Sequence, residues 1–128
     1  MRRALLYTGG VLNLLLAIGH MCFWKTLNWS EELPKLSPDN QGVMQTENVI
    51  IIFIMLYFAV MSFIIAKHQR MDIFAKSILI CIAGLYSIRL FLGYPFFGFS
   101  YEEMFIWVIC VIIIIGYLSV LFIKSENK

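Results

Sequence analysis

Apolar residues run in four long stretches separated by short polar segments, roughly over residues 4–24, 48–66, 73–93 and 104–123. Each stretch is close to the 20 or so residues that a helix needs to cross a hydrocarbon core of about 30 Å. The stretches lack the alternation of barrel strands, and a backbone in lipid has to pair its own polar groups. The pattern predicts an all-α, polytopic membrane protein with an antiparallel bundle of four transmembrane helices.

The composition agrees with this fold class. The 128 residues are 61% hydrophobic and 14% charged, against about half apolar and a quarter charged in ordinary soluble domains. We predict a single membrane domain over residues 1–128, in contact with the lipid bilayer. The sequence contains no basic run and no basic helical face, which argues against a nucleic-acid partner.

The connections between the stretches differ in length. The first, "KTLNWSEELPKLSPDNQG" (25–42), is the longest, and we expect a short interfacial helix around 29–36 that folds onto the bundle, followed by a turn at "SPDNQG" (37–42). The second, "KHQRMD" (67–72), predicts a tight turn. The third, "YPFFGFSYEE" (94–103), is rich in aromatic residues, which are typical of a membrane interface.

Basic residues give the predicted orientation. The N-terminus has the outline of a signal peptide, but its apolar run continues to Trp24, so we expect it to remain as the first transmembrane helix. One side of the predicted membrane has only Lys25 and Lys35. The other side has Arg2, Arg3, Lys67, Arg70, Lys76, Lys124 and Lys128. The positive-inside rule therefore predicts a multi-pass protein of the plasma (inner) membrane with both termini and the second connection in the cytoplasm.

In this topology the ionisable and amide side chains near the outer helix ends fall in one layer. His20 interrupts the apolar run "LLLAIGHMCFW" about 25 Å of helix rise beyond Arg3, and Arg89 lies about 7 Å before the end of the third stretch. We predict a polar pocket here. Its candidate ligand-binding residues are His20, Trp24, Glu47, Asn48, Arg89 and Glu103.

Arg89 has alternative interpretations. As a free cation it would hold a small anion or a lipid headgroup. As a structural residue it would form an ion pair with Glu103, Glu102 or Glu47, or extend to the interface.

His20 also has alternatives. We expect it to face the bundle interior, within one or two hydrogen bonds of Glu47, Asn48 or Arg89, because unpaired imidazole nitrogens in hydrocarbon are costly. Metal ligation would require further ligands at the same depth, and the sequence shows no metal-ligand spacing. Asn13, near mid-membrane, is typical of a helix-to-helix contact. The sequence predicts no metal, no cofactor and no catalytic residue.

Small and polar residues recur at helical spacing on the first three stretches. Such faces are typical of helix contacts in lipid, and we expect them to line the bundle interior. They comprise Gly10, Asn13, Ala17, His20 and Trp24 on the first stretch, Gln45, Asn48, Ile52, Met55, Ala59 and Ser62 on the second, and Ile82, Tyr86, Arg89 and Gly93, with Ser77, Cys81 and Gly84 beside them, on the third.

Two family resemblances are limited in extent. The helix layout with a longer first outer loop is similar in outline to DoxX-type membrane proteins, and "YTGGVLNLLL" (7–16) resembles the first helix of the GtrA-type family, which is associated with moving lipid-linked sugars. The Asn-Arg, Trp and Phe pattern of that family is missing, since "MSFIIAKHQRMDIF" (61–74) has neither Asn-Arg nor Trp. Neither resemblance serves as an identification.

Three function classes remain open. The first is a binding or accessory protein, acting as a homo-oligomer or a subunit of a membrane complex, whose outer pocket holds a lipid, a quinone or a small anion. The second is a small oligomeric transporter or flippase. The third is a membrane-embedded enzyme with His20 or a carboxylate as general base, although the sequence shows no nucleophile motif, phosphate loop or metal-ligand spacing.

The predicted orientation can be tested by cysteine labelling in intact cells. A reagent that does not cross membranes should modify Ser37→Cys in the first connection and leave Gln69→Cys in the second unmodified, because the two positions are expected on opposite sides. Labelling of Gln69→Cys alone would show the reverse orientation.

Overall fold

The chain is all-helical in a computed structural model that describes residues 1–123. In chain order the helices are α1 (Arg2–Met21), α2 (Phe23–Thr26), α3 (Trp29–Glu32), α4 (Pro38–His68), α5 (Ile73–Phe97) and α6 (Tyr101–Phe122), with a 3₁₀ turn at Leu33–Lys35. The four helices α1, α4, α5 and α6 are long and apolar enough to cross a membrane. The predicted four-helix membrane bundle is confirmed. Lys124 and Lys128, used above for orientation, lie outside the described residues.

The long helices pack as two pairs. α1 lies along α4, α5 lies along α6, and α1 joins the pairs through α6, whereas α4 and α5 make little contact although only residues 69–72 separate them. We call the end of the bundle that holds residues 22–37 and 98–100 the loop end. The opposite, terminal end holds the 69–72 turn, and there the Arg2 guanidinium donates a hydrogen bond to the carbonyl oxygen of Ile123.

α4 begins ten residues before the predicted apolar span at 48–66, at the segment that was expected to be a turn. Ser37 is the N-cap, and its Oγ accepts from the backbone N–H of Asn40 at 3.4 Å. Pro38 takes the first helical position, where its missing N–H would have no partner in any helix, and Asp39 complements the helix dipole. The expected turn is therefore wrong. The same residues start a helix of 31 residues, about 46 Å long.

The third connection is shorter than predicted because α5 continues through Pro95 to Phe97. Gly98 ends the helix with a φ of 70°, a value that favours glycine. Ser100 then caps α6, its Oγ accepting from the backbone N–H of Glu103 at 3.1 Å. Only residues 98–100 separate the two helices, so the end of α5 and the start of α6 are held side by side.

The first loop, residues 22–37, contains the predicted short helix as α3 and the 3₁₀ turn. Trp29 is 7% exposed and Leu33 is 2% exposed, whereas Leu27 and Leu36 lie on the surface. The Trp29 ring packs edge-on against Phe23 with ring centroids 5.9 Å apart. The loop is folded onto the bundle by two of the four apolar residues that suggested this arrangement.

The predicted interior faces are only partly confirmed. Buried members include Ala17 on α1, Ala59 on α4 and Gly93 on α5. The predicted interior position is wrong for Gln45, Ser77, Cys81 and Gly84, which are exposed. Lipid is as apolar as a leucine side chain, and no hydrophobic force drives small residues of a membrane helix inward.

A polar network crosses the centre of the bundle and takes one side chain from each long helix. These side chains are Asn13 on α1, Ser62 on α4, Tyr86 on α5 and Tyr117 on α6, and none is more than 2% exposed. The Tyr86 hydroxyl donates to Asn13 Oδ1 at 2.8 Å, and Asn13 Nδ2 donates to the Tyr117 hydroxyl at 3.0 Å. The Tyr117 and Ser62 oxygens lie 2.6 Å apart.

Each hydroxyl hydrogen in this network has an acceptor. Ser62 donates its hydrogen to the Phe58 carbonyl oxygen at 2.7 Å, which leaves Ser62 Oγ to accept from the Tyr117 hydroxyl. Asn13 Nδ2 also donates to the Gly9 carbonyl oxygen at 2.9 Å. A Cβ on Gly9 would lie 2.6 Å from the Tyr117 oxygen, so this glycine allows Tyr117 to approach α1. The network therefore fixes the relative positions of all four helices.

We expect Tyr117→Phe to lower the free energy of unfolding by about 1–3 kcal/mol, because Asn13 Nδ2 and Ser62 Oγ each lose a buried partner. Thermal unfolding in detergent, followed by circular dichroism, measures this. Tyr101→Phe is the matched control, because Tyr101 is 88% exposed. Equal stability of the two variants would contradict a structural role for the network.

Candidate functional site

Two polar pairs lie at the loop end of the bundle. His20 of α1 pairs with Asn48 of α4, and Arg89 of α5 pairs with Glu103 of α6. Four of the six predicted site residues are thus brought into pairs. One pair joins α1 to α4 and the other joins α5 to α6, and in each case the two helices pack along each other.

The His20 pair is a reciprocal contact with an amide. His20 Nδ1 lies 3.0 Å from Asn48 Oδ1, and Asn48 Nδ2 donates to the His20 backbone carbonyl oxygen at 3.2 Å. Because Oδ1 can only accept, Nδ1 carries the hydrogen and Nε2 is left as an acceptor. The Phe23 ring lies 4.3 Å from the imidazole, centroid to centroid. Of the three partners predicted for His20, the structure shows Asn48.

The Arg89 pair is a salt bridge. Arg89 Nη2 lies 2.7 Å from Glu103 Oε1, and the two side chains are 31% and 8% exposed. The guanidinium carbon also lies 4.6 Å from the centroid of the Phe97 ring, a cation–π distance. Among the interpretations of Arg89, the structure shows the ion pair with Glu103.

The start of α6 places Glu103 for this contact. Ser100 and Glu103 have the spacing of a capping box, in which the glutamate normally turns back to the N-cap backbone N–H. Here Ser100 Oγ accepts from the Glu103 backbone N–H as in a capping box, but the Glu103 carboxylate pairs with Arg89 and not with the N-cap backbone. One residue earlier, Glu102 is exposed and lies in the same first turn.

Three buried polar atoms of this site have no hydrogen-bond partner: Arg89 Nη1, Glu103 Oε2 and Trp107 Nε1. All three surround Gly93. A Cβ built on Gly93 would lie 2.4 Å from the Trp107 nitrogen, 2.9 Å from the Arg89 nitrogen and 3.3 Å from the Glu103 oxygen. Only glycine lets the indole, the guanidinium and the carboxylate converge here. We call Arg89, Gly93, Glu103 and Trp107 the Arg89 site.

Sequence reasoning missed Trp107. Its available signal was spacing: Trp107 follows Glu103 by four residues and Gly93 follows Arg89 by four, so each pair lies on one helix face. The sequence does not distinguish Trp107 from the other aromatic residues of this apolar run, where a tryptophan is typical of an interface anchor.

Two predicted site residues lie apart from both pairs. Glu47 is exposed, on a surface of α4 with Asp39 and Val43, because one residue step turns its side chain about 100° away from Asn48. Trp24 is 56% exposed and packs edge-on against Trp29 at 6.5 Å. The structure does not place either side chain in the polar pairs, and the expected interior position of Trp24 is wrong.

The hollow beside Glu47 measures about 580 Å³ but is open along the surface of α4, and no residue of the two polar pairs lines it. A cleft of about 60 Å³ lies between α1 and α6, lined by Leu5, Leu12 and Ile112 among others. Ligand pockets usually measure about 300–1,000 Å³. Over residues 1–123, no group of three or more His, Cys, Asp or Glu side chains is arranged to hold a metal ion.

Comparisons with known proteins do not place the chain in a family. No family model, curated protein or solved structure matches it.

We expect Gly93→Ala to lower the midpoint of thermal unfolding, because the new methyl group would displace Trp107 and Arg89. Gly84→Ala on the same helix is the control. It has open space around it, so it should leave stability unchanged or raise it, since alanine is favoured over glycine in helices by about 1 kcal/mol. A Gly93→Ala protein as stable as Gly84→Ala would show that the convergence on Gly93 is not a constraint.

Proposed function

We propose that this protein is a small integral membrane binding protein whose Arg89 site holds the polar head of a lipid, a quinone or a similar amphiphile. The observation that carries the proposal is the set of unpartnered polar atoms on Arg89, Glu103 and Trp107. A buried polar atom without a partner destabilises a fold by about 1–3 kcal/mol. A binding role gives these atoms a partner and explains why charged groups occur inside an apolar helix bundle.

The ion pair favours a neutral head over the small anion considered from the sequence. Glu103 neutralises the charge of Arg89 at 2.7 Å, and its second oxygen and the second Arg89 nitrogen both lie beside Gly93. An anion there would meet a carboxylate. A neutral group that forms hydrogen bonds meets no such repulsion.

The packed bundle favours binding over transport. The network of Asn13, Ser62, Tyr86 and Tyr117 fills the centre, and its hydrogen-bond donors already have acceptors within the bundle. Between this network and the terminal end lie buried apolar side chains such as Leu6, Ile65, Leu79 and Val120. A binding or accessory protein working beside a larger assembly fits this packing better than a lone transporter does.

The proposal includes an orientation. With both termini on the cytoplasmic side of the plasma (inner) membrane, the loop end and the Arg89 site lie in the outer leaflet. The distribution of basic residues supports this, since Lys25 and Lys35 are the only lysines or arginines in the first loop.

Copurification tests the proposed function. The full chain is purified in mild detergent, and bound amphiphiles are identified and counted by native mass spectrometry and lipid extraction. We expect the unaltered protein to retain a bound amphiphile. Glu103→Gln should retain about fivefold less of it, or even less, because the variant breaks the charge pair. Glu102→Gln is the matched control, since Glu102 is the exposed neighbour of Glu103, and it should retain the amphiphile.

A second variant separates binding from folding. Arg89→Met/Glu103→Leu removes both charges together, which a buried ion pair often tolerates, and it should unfold at a temperature near that of the unaltered protein while losing the amphiphile. Retention by this double variant, or absence of any amphiphile from the unaltered protein, would overturn the proposal.

A further inference from the structure

We propose that the Arg89 site recognises a free hydroxyl group on a neutral amphiphile. The inference rests on the proposed function and names its ligand chemistry. It comes from the number and type of the unpartnered atoms that surround Gly93: two nitrogen donors, on Arg89 and Trp107, and one oxygen acceptor, on Glu103.

A hydroxyl group matches this set. Its oxygen accepts two hydrogen bonds and its hydrogen donates one. Arg89 Nη1 and Trp107 Nε1 can donate to the oxygen, while Glu103 Oε2 accepts the hydrogen. One hydroxyl group therefore offers a partner of the right kind to each of the three atoms.

Other head chemistries leave a mismatch at one of the three atoms. An ester, ether or ketone oxygen accepts from the two nitrogens but offers no hydrogen to Glu103. A phosphate or carboxylate brings a negative charge against Glu103 Oε2, whose side chain is 8% exposed and therefore poorly screened. An ammonium group offers only donors to the two nitrogen donors.

The surroundings of the site favour an amphiphile over a polar solute. Phe97 stacks on the Arg89 guanidinium at 4.6 Å, and Phe99 packs edge-on against the Trp107 ring at 5.9 Å. Both phenylalanines are exposed, as is Phe96. At the end of a membrane helix such exposed rings lie at the interface, where a lipid tail or a quinol ring can pack beside them.

Entry to the site requires a small movement at its exposed edge. The three polar atoms are covered in this arrangement, but the Arg89 side chain is 31% exposed and Phe97 is 62% exposed. We expect entry at this edge by rotation of the exposed Phe97 ring, which leaves Arg89, Glu103 and Trp107 in place.

The test compares probes that differ only at the hydroxyl. Dioctanoylglycerol carries a free hydroxyl that its acetate ester lacks, and a short-chain quinol carries hydroxyls that its oxidised quinone lacks. Each probe is titrated onto the purified full chain in detergent. We expect the hydroxyl form to bind about tenfold more tightly than its partner, since the partner leaves Glu103 Oε2 unpaired. Preference in the glycerol pair indicates a glycerolipid, and preference in the quinol pair indicates a quinol.

Variants tie the preference to the named atoms. Trp107→Phe removes one donor and should weaken hydroxyl binding by about fivefold, whereas Tyr101→Phe, which removes an exposed hydroxyl on the same helix, should change nothing. Glu103→Gln replaces the acceptor with an amide N–H donor, so the preference for the hydroxyl form should disappear. A purely structural role of Glu103 would not change which form is preferred.

The outcomes that overturn the inference are distinct from failure of the proposed function. If a copurified amphiphile is present but both members of each probe pair bind equally, the binding role stands and hydroxyl recognition is wrong. If no probe binds and the unpartnered atoms hold a bound water only, hydroxyl recognition is again wrong, and copurification alone decides the binding role.

Discussion

A helix bundle in hydrocarbon has to pair its polar side chains within itself, and this constraint shapes the whole protein. The network of Asn13, Ser62, Tyr86 and Tyr117 meets it fully, because each hydroxyl and amide hydrogen that it buries has an acceptor on another helix or in its own turn. Since each long helix contributes one side chain, a slide or rotation of any helix would leave polar atoms unpaired. The network therefore fixes the positions of the four helices relative to one another, which apolar packing in lipid leaves unspecified.

The Arg89 site meets the same constraint only in part, because its ion pair leaves polar atoms without a partner. One oxygen of Glu103 and one nitrogen of Arg89 pair at 2.7 Å, while Arg89 Nη1, Glu103 Oε2 and Trp107 Nε1 have no partner. Gly93 brings them together by having no side chain. In the central network all the hydrogen-bond donors have acceptors, whereas the Arg89 site has three polar atoms without a partner. The two lie about one helical turn apart along α5, from Tyr86 to Arg89.

The local devices at the helix ends support this division. Ser100 caps α6 and so frees the Glu103 side chain for Arg89, and residues 98–100 are short enough to hold the two helices together. On the other pair, the His20 carbonyl oxygen, at the last turn of α1, accepts from Asn48 of α4. Each helix pair therefore has a polar contact at the loop end, and the α5–α6 contact leaves three buried polar atoms without a partner around Gly93.

The sequence by itself determined the number of membrane helices, because length and hydropathy decide which segments can satisfy their backbones in lipid. It also brought His20 and Asn48, and Arg89 and Glu103, to one end, because depth follows from helix rise alone. It did not decide which side of each helix meets a neighbour: Glu47 and Trp24 proved exposed, and Ser77, Cys81 and Gly84 face outward. Only the tertiary structure joined Trp107 to Gly93 and Tyr117 to Asn13, since these contacts depend on the rotation of one helix against another, which apolar surfaces in lipid leave unspecified.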